Sequence, residues 1–325
     1  MMATYVTITA RGCDEAVLEA GVRAAFSEMQ RLAAILSEWD PASPVSRVSS
    51  QAGIAPVSVP PELLEVLETS QEVAALTDGA LDVTWAALSD LWHFEGPPAL
   101  PDPEEVRRRR ALVDHRDLQL DPARGTAFLR RKGMRLGLGG VAKGYIAAAG
   151  AQVLVERGIR DVLVAASGDI TARGLDGAKP WRVAIQDPRH PDRAVASVEL
   201  SNQSISTAGD YEHCFFIGGR RYHHILDPKT GYPAEGTASV SVLSDSGLLA
   251  DSLDTGLLVI GAGAGGGVAR RLPRIGVLFV DDDGKIHTAG PLGDHFELGM
   301  QPSPLRPDTR APSAAGLAAE RAPAR

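Results

Sequence analysis

Cysteine is almost missing from this 325-residue chain: Cys13 and Cys214 are the only two, far apart and without metal-type spacing. Neither a disulfide framework nor a zinc site is indicated. Positive charge is also short, with 33 Lys and Arg against 41 Asp and Glu, and the net charge of −8 argues against nucleic acid as a partner. The run Arg107–Arg110 is a local exception; flanked by Pro and Glu, it reads as a solvated helix face rather than a phosphate site. No apolar run reaches the roughly 18 residues of a membrane span. The N-terminus lacks the basic and apolar regions of an export signal, so the chain as written is expected to be cytoplasmic. Apolar residues nevertheless make up 44% of the chain, ample for a large packed core.

The patterning mixes both periods. Val6, Ile8 and Ala10 alternate with Tyr5, Thr7 and Thr9 as a strand should, and residues 14–39 carry apolar side chains, Val17 to Leu36, at helical spacing. A second helix is predicted from Pro60-Pro61 to Gly79, a loop over 95–105, then a short helix and a hairpin at Gly125. Past Trp181 the chain is mostly strands, with hairpin signals at Gly218-Gly219 and Asp283-Gly284 and a helix from Ser246 to about Ile260. The expectation is an α+β domain over 1–300 and a disordered Pro/Ala/Arg-rich tail over 301–325.

Four segments carry possible chemistry. Asp251, Asp254 and Thr255 fall at i, i+3 and i+4 of an otherwise apolar helix, placing three oxygen donors on one face. Such hard ligands suit Mg²⁺ or Ca²⁺; the bland alternative is a solvated stripe. Gly139-Gly140-Val141-Ala142-Lys143-Gly144-Tyr145 begins a helix and reads either as an anion cradle, with Lys143 on a phosphate, or as a tight turn. In Tyr222 to Pro233, His223 and His224 face opposite ways on a strand, so one at most looks into a site, as a general base or a structural histidine; Asp227-Pro228-x-Thr-Gly is also turn chemistry. Thr77 to Thr84 is a helix end where a carboxylate meets a heteroaromatic edge and Trp39 stacks on a ring, or else a glycine-capped terminus beside core tryptophans.

Taken in this order, these segments resemble the FAD:protein FMN transferase family, from Met2 to about Leu298. Val141–Tyr145, His224–Pro233 and Ala250–Gly256 are the most specific pieces, supported by Ser167-Gly168-Asp169 and Thr207–Tyr211. The resemblance implies a T-fold-like domain that takes FAD as substrate. It implies Mg²⁺ held by the Ala142 carbonyl, Asp251, Thr255 and Asp254. It implies an FAD site of Met2, Trp39, Ala80, Leu81, Asp82, Gly139, Lys143, Tyr145 and Ile225, with His224 as catalytic base. The FMN half would pass to a Thr or Ser of an acceptor flavoprotein subunit, releasing AMP. Ala3, Ala148, Ser167 and Ala208 depart from the family pattern, and family members are usually exported. The rival readings are a Mg²⁺-dependent FAD pyrophosphatase, with water in place of the acceptor, and a non-catalytic flavin-binding protein.

Overall fold

The computed structural model describes residues 5–12 and 14–299; Met2, Cys13 and the expected tail 301–325 lie outside them. Strand β1 (Val6–Arg11) alternates half-buried and exposed positions, as its sequence dictates. Helix α1 (Glu15–Ile35) is capped by the Asp14 carboxylate, which accepts the Ala16 and Val17 N–H groups, and it buries Gly21, Ala25, Met29 and Leu32. Val17, predicted to face inward, is 44% exposed. It lies one turn before Gly21, where the contacts with Leu154 and Ile159 begin. There follow α2 (Pro44–Ser50), β2 (Val57–Ser58), α3 (Pro61–Leu76), a 3-10 segment over Val83–Leu91, α4 (Pro103–Arg110), β3 (Leu118–Asp121) and β4 (Thr126–Leu129).

The central elements are α5 (Ala142–Glu156), β5 (Asp161–Ala166), β6 (Asp169–Arg173), β7 (Trp181–Gln186), β8 (Ala194–Leu200) and β9 (Ser204–Gly209). A hairpin of β10 (Cys214–Ile217) and β11 (Arg220–His223) precedes β12 (Thr237–Ser244), α6 (Gly247–Ala269), β13 (Gly276–Asp281), β14 (Ile286–Ala289) and β15 (Glu297–Leu298). Seven strands form one antiparallel sheet in the order β1-β5-β6-β9-β12-β13-β14. Helices and antiparallel sheets in one chain make the fold α+β, as expected from the pattern.

Strand β12 is buried at all eight positions because both faces of the sheet are covered. Val240 and Val242 join the core shared with α1, α5 and α6, while Leu243 meets Trp181, Val183 and Val198 of the β7-β8 sheet. Each such side chain contributes about 1.5–3 kcal/mol of burial.

Helix α6 begins under a Ser246 cap and was predicted to end near Ile260. It does break there, at Gly261 (φ 70°, ψ 173°), but a second helical piece continues to Ala269. By length and composition α6 is long and apolar enough to cross a bilayer although it holds no uninterrupted apolar run of that length, since glycine and alanine carry the average across its polar positions. More than half of its apolar stretch is packed inside the protein, against β9, β12 and α5, as in a core helix.

Helices α5 and α6 cross at two glycines. A Cβ on Gly144 would stand 2.2 Å from the Gly247 carbonyl oxygen, and one on Gly247 would stand 2.4 Å from that of Gly144. Only this close approach lets the Gly144 N–H donate to Asp251 Oδ2 at 2.8 Å, which brings the polar face of α6 against the first turn of α5.

Candidate functional site

A cavity of about 540 Å³ opens where α5, α6, the ends of β6 and β9, the β10-β11 hairpin and the 3-10 segment converge. Trp39, Ala80, Leu81, Asp82, Gly139, Lys143, His224, Ile225, Asp251, Asp254 and Thr255 all line it. Segments up to 216 residues apart thus meet in one place, as no local motif could show. Ala142 and Tyr145 are not among the lining residues. Ala142 is buried in the first turn of α5, and the Tyr145 hydroxyl donates to Glu65 at 2.9 Å.

The centre is a cluster of buried acids. Asp169, Asp251 and Asp254 are each no more than 2% exposed, so the solvated-stripe reading of α6 is set aside. Lys143 reaches Asp169 at 3.1 Å and Asp251 at 3.4 Å, which places its ammonium on carboxylates within the protein. Burial alone would depress that ammonium, but Asp169, Asp251 and Asp254 hold it well above the usual lysine range. Burial, with the neighbouring Asp169, pushes Asp251 up to about 7, and burial with Asp251 and Asp169 raises Asp254 well above a normal carboxyl.

Ser206 makes the charge imbalance concrete. Its hydroxyl lies 2.6 Å from Asp169 Oδ1 and 2.6 Å from Asp254 Oδ2. A hydroxyl has one proton to give, so the second short contact calls for a proton on one of the carboxyls, and burial beside Asp251 and Asp169 raises Asp254 in that direction. Three acids thus share one lysine and an extra proton. Thr255, 3.1 Å from Asp254 Oδ1, adds a hydroxyl, and Gly140 fits against it because a Cβ there would come within 2.8 Å of Thr255 Oγ1. Among the described residues no three His, Cys, Asp or Glu side chains converge with metal-holding geometry. The donor set is instead two aspartates of α6 with a hydroxyl, hard oxygens carrying an uncompensated negative charge, and it fits a divalent cation of the Mg²⁺ kind.

The walls are held by the fold. Glu38 accepts the Leu138 and Gly139 N–H groups and braces the glycine turn, and burial raises its carboxyl. Trp39 beside it is 77% exposed at the rim. Asp82 lines the cavity, but its carboxylate is committed to capping: it accepts from Thr84 N–H at 2.8 Å, Thr84 Oγ1 at 2.6 Å and His115 N–H at 2.7 Å. The main chain of Ala80–Asp82 remains to meet a ligand.

The two histidines divide as strand geometry requires. His223 is buried, bonded through Nε2 to the Ala234 carbonyl and through Nδ1 to the Ile225 N–H, which makes it structural. His224 faces the cavity. Burial, then His213, His223 and Lys143, lowers it to about 4, so its ring is neutral at pH 7. Asp227 proves to be turn chemistry, its carboxylate accepting the Lys229 N–H and its carbonyl the Gly231 N–H.

Glu38, Asp169, Ser206, Tyr211 and His213 belong to the site but were not assigned from sequence. Of these, Asp169 and Tyr211 stood inside segments already singled out. Ser206 gave no signal, since one serine in an alternating strand is indistinguishable from a surface position.

Comparison with known proteins agrees with this geometry. The model of the ApbE family matches residues 2–279. An FAD:protein FMN transferase of Klebsiella pneumoniae is 34% identical over 271 residues, covering 80% of this chain and 77% of that protein. One from Vibrio cholerae is 35% identical over 257 residues, covering 76% of each. Among solved structures, the ApbE protein of Thermotoga maritima superposes with a TM-score of 0.80 at 28% identity, over 90% of this chain and 96% of that one. The flavin transferase ApbE of Vibrio cholerae gives 0.79 at 31% identity, with the same coverage.

Proposed function

Because this chain belongs to the ApbE family, we propose that it is an FAD:protein FMN transferase that uses Mg²⁺ and a Thr or Ser hydroxyl of an acceptor flavoprotein. The observation that supports this most is the joining, in one cavity, of the buried acids Asp251 and Asp254, the Gly139–Lys143 turn and the neutral ring of His224.

Asp251, Asp254 and Thr255 would hold Mg²⁺, which supplies charge neutralisation at the FAD pyrophosphate. The protein's own groups do the rest. Lys143 fixes Asp169 and Asp251 in place so that the oxygens of α6 point into the cavity. Ala80–Asp82, Gly139, Ile225 and the exposed Trp39 offer backbone and apolar surface to the rings of FAD. His224, with an unprotonated nitrogen at neutral pH, takes the proton of the acceptor hydroxyl; the negative charge of a bound pyrophosphate raises its basicity from the low value of the empty site. The acceptor oxygen then bonds to the FMN phosphorus, the P–O bond to AMP breaks, and AMP departs with the electron pair.

The test is to incubate the protein with FAD and Mg²⁺, with and without a flavin-carrier domain bearing one acceptor threonine, and to follow AMP and acceptor mass. AMP with an FMN-sized mass gain is expected. AMP with free FMN alone would make it a pyrophosphatase, and FAD binding without AMP would make it a flavin-binding protein.

A further inference from the structure

We propose that His213 is a positioning residue for His224, fixing the plane of the base's ring and opposing its protonation; this rests on His224 being the base. A general base is ordinarily oriented by a hydrogen bond to its second nitrogen. At His224 that bond is at best weak: its Nδ1 is buried without a hydrogen-bond partner of good geometry, and the His213 carbonyl is the smallest influence on the ring. What touches the ring instead is His213, edge to face, with centroids 5.4 Å apart and planes at 89°. The same two residues are joined through the main chain, where the His224 N–H donates to the His213 carbonyl at 3.1 Å. That bond continues the ladder in which Cys214 pairs with His223, so the base of the hairpin delivers both imidazoles to the cavity together.

The surroundings separate the two rings in role. His213 is exposed at the rim and His224 is half-buried behind it. Lys143 and Asp254 face the pair from α5 and α6, Glu95 from the opposite wall, and Tyr211 and Glu212 from the connection that carries His213. His223 sits on the far side, its nitrogens already bonded. A positive charge on His213 or Lys143 disfavours a second one on His224, and the lowered basicity of His224 agrees with that placement.

The test uses the full chain with FAD, Mg²⁺ and a flavin-carrier domain bearing one acceptor threonine, and compares His213→Ala, His213→Phe and His224→Ala. Phenylalanine keeps a ring able to make the edge-to-face contact and removes the imidazole nitrogens. His213→Ala should lower kcat about tenfold with KM for FAD within about twofold, and His213→Phe should recover most of that loss. In both variants the acid limb of the kcat–pH profile should move up by about half a pH unit. An alanine variant with unchanged kcat and an unmoved limb would overturn the proposal. So would a kcat loss that phenylalanine does not restore, or a change confined to KM for FAD. If His224→Ala itself keeps the wild-type rate, it is the base assignment that falls, and the result is distinguishable because His213 need not be altered to see it.

Discussion

Helices α4 and α6 carry the same kind of sequence signal and mean opposite things. In α4, Glu105 pairs with Arg108 and Arg109, and Glu104 with Arg107, three and four residues along a helix whose charged groups face water. In α6, Asp251 and Asp254 also sit three apart, but they are buried, and among the described residues the cation that reaches this pair is Lys143 from another helix, in contact with Asp251. Exposed pairs of the first kind contribute little and are screened by salt. Buried acids of the second kind cost free energy unless something else compensates, so a fold that keeps them is keeping them for a ligand. Burial, rather than charge spacing, separates decoration from chemistry.

The sharpest way to break the comparison is Asp251→Ala. AMP release from FAD should fall by more than about a hundredfold, beyond what supporting residues around a metal cost, while the melting temperature in EDTA stays within a few degrees. An active variant would remove the metal assignment. Next comes Lys143→Met, which leaves three acids facing one another; the protein without metal should lose about 2 kcal/mol at pH 7.5, read by urea unfolding, and regain part of it with Mg²⁺. If the loss is equal with and without Mg²⁺, the cluster does not take the cation.

The pH response separates the two helices again. Burial and the neighbouring Asp169 push Asp251 up to about 7, and a proton held there competes with a cation. Apparent Mg²⁺ affinity, measured by calorimetry, should therefore fall as pH is lowered through about 7. The linkage to stability runs the opposite way. Between the unfolded carboxyl value and about 7 the folded state binds the extra proton, so this group stabilises the metal-free protein at low pH and the contribution fades as pH rises through 7.

Smaller again is the turn that presents Asp169 to the cluster. Ser167 is held at φ 60°, in the left-handed region, and Ser167→Gly should stabilise the protein by about 0.5–1 kcal/mol, seen as a raised urea midpoint. Smallest is Glu105→Gln on α4, which should move the melting temperature by less than about 2 °C and leave AMP release unchanged.

Much of this was legible beforehand. The grouping of Asp251, Asp254 and Thr255 on one face of α6, the opposite facing of His223 and His224, and the Gly218-Gly219 hairpin follow from local period and turn chemistry, and the structure shows each of them. What sequence did not disclose depends on distance along the chain. Ser206 reaches Asp169 across 37 residues and Asp254 across 48, and Glu38 braces a turn 100 residues away. Lys143 read equally well as a phosphate ligand, because a lysine beside glycines looks the same whether its partner is a ligand or a buried acid. Tyr145 was carried to the FAD site with its neighbours, yet its hydroxyl is spent on Glu65.

The crossing of α5 and α6 at Gly144 and Gly247 works as a fulcrum. With no side chain on either glycine, the helices approach at main-chain distance there, and no rotamer change at these two positions can adjust it. The gap between Asp251 and the turn that carries Lys143 is therefore a fixed mechanical dimension of the backbone. The dimension that any bound cation would have to fit is thus set by two positions that hold no functional group at all.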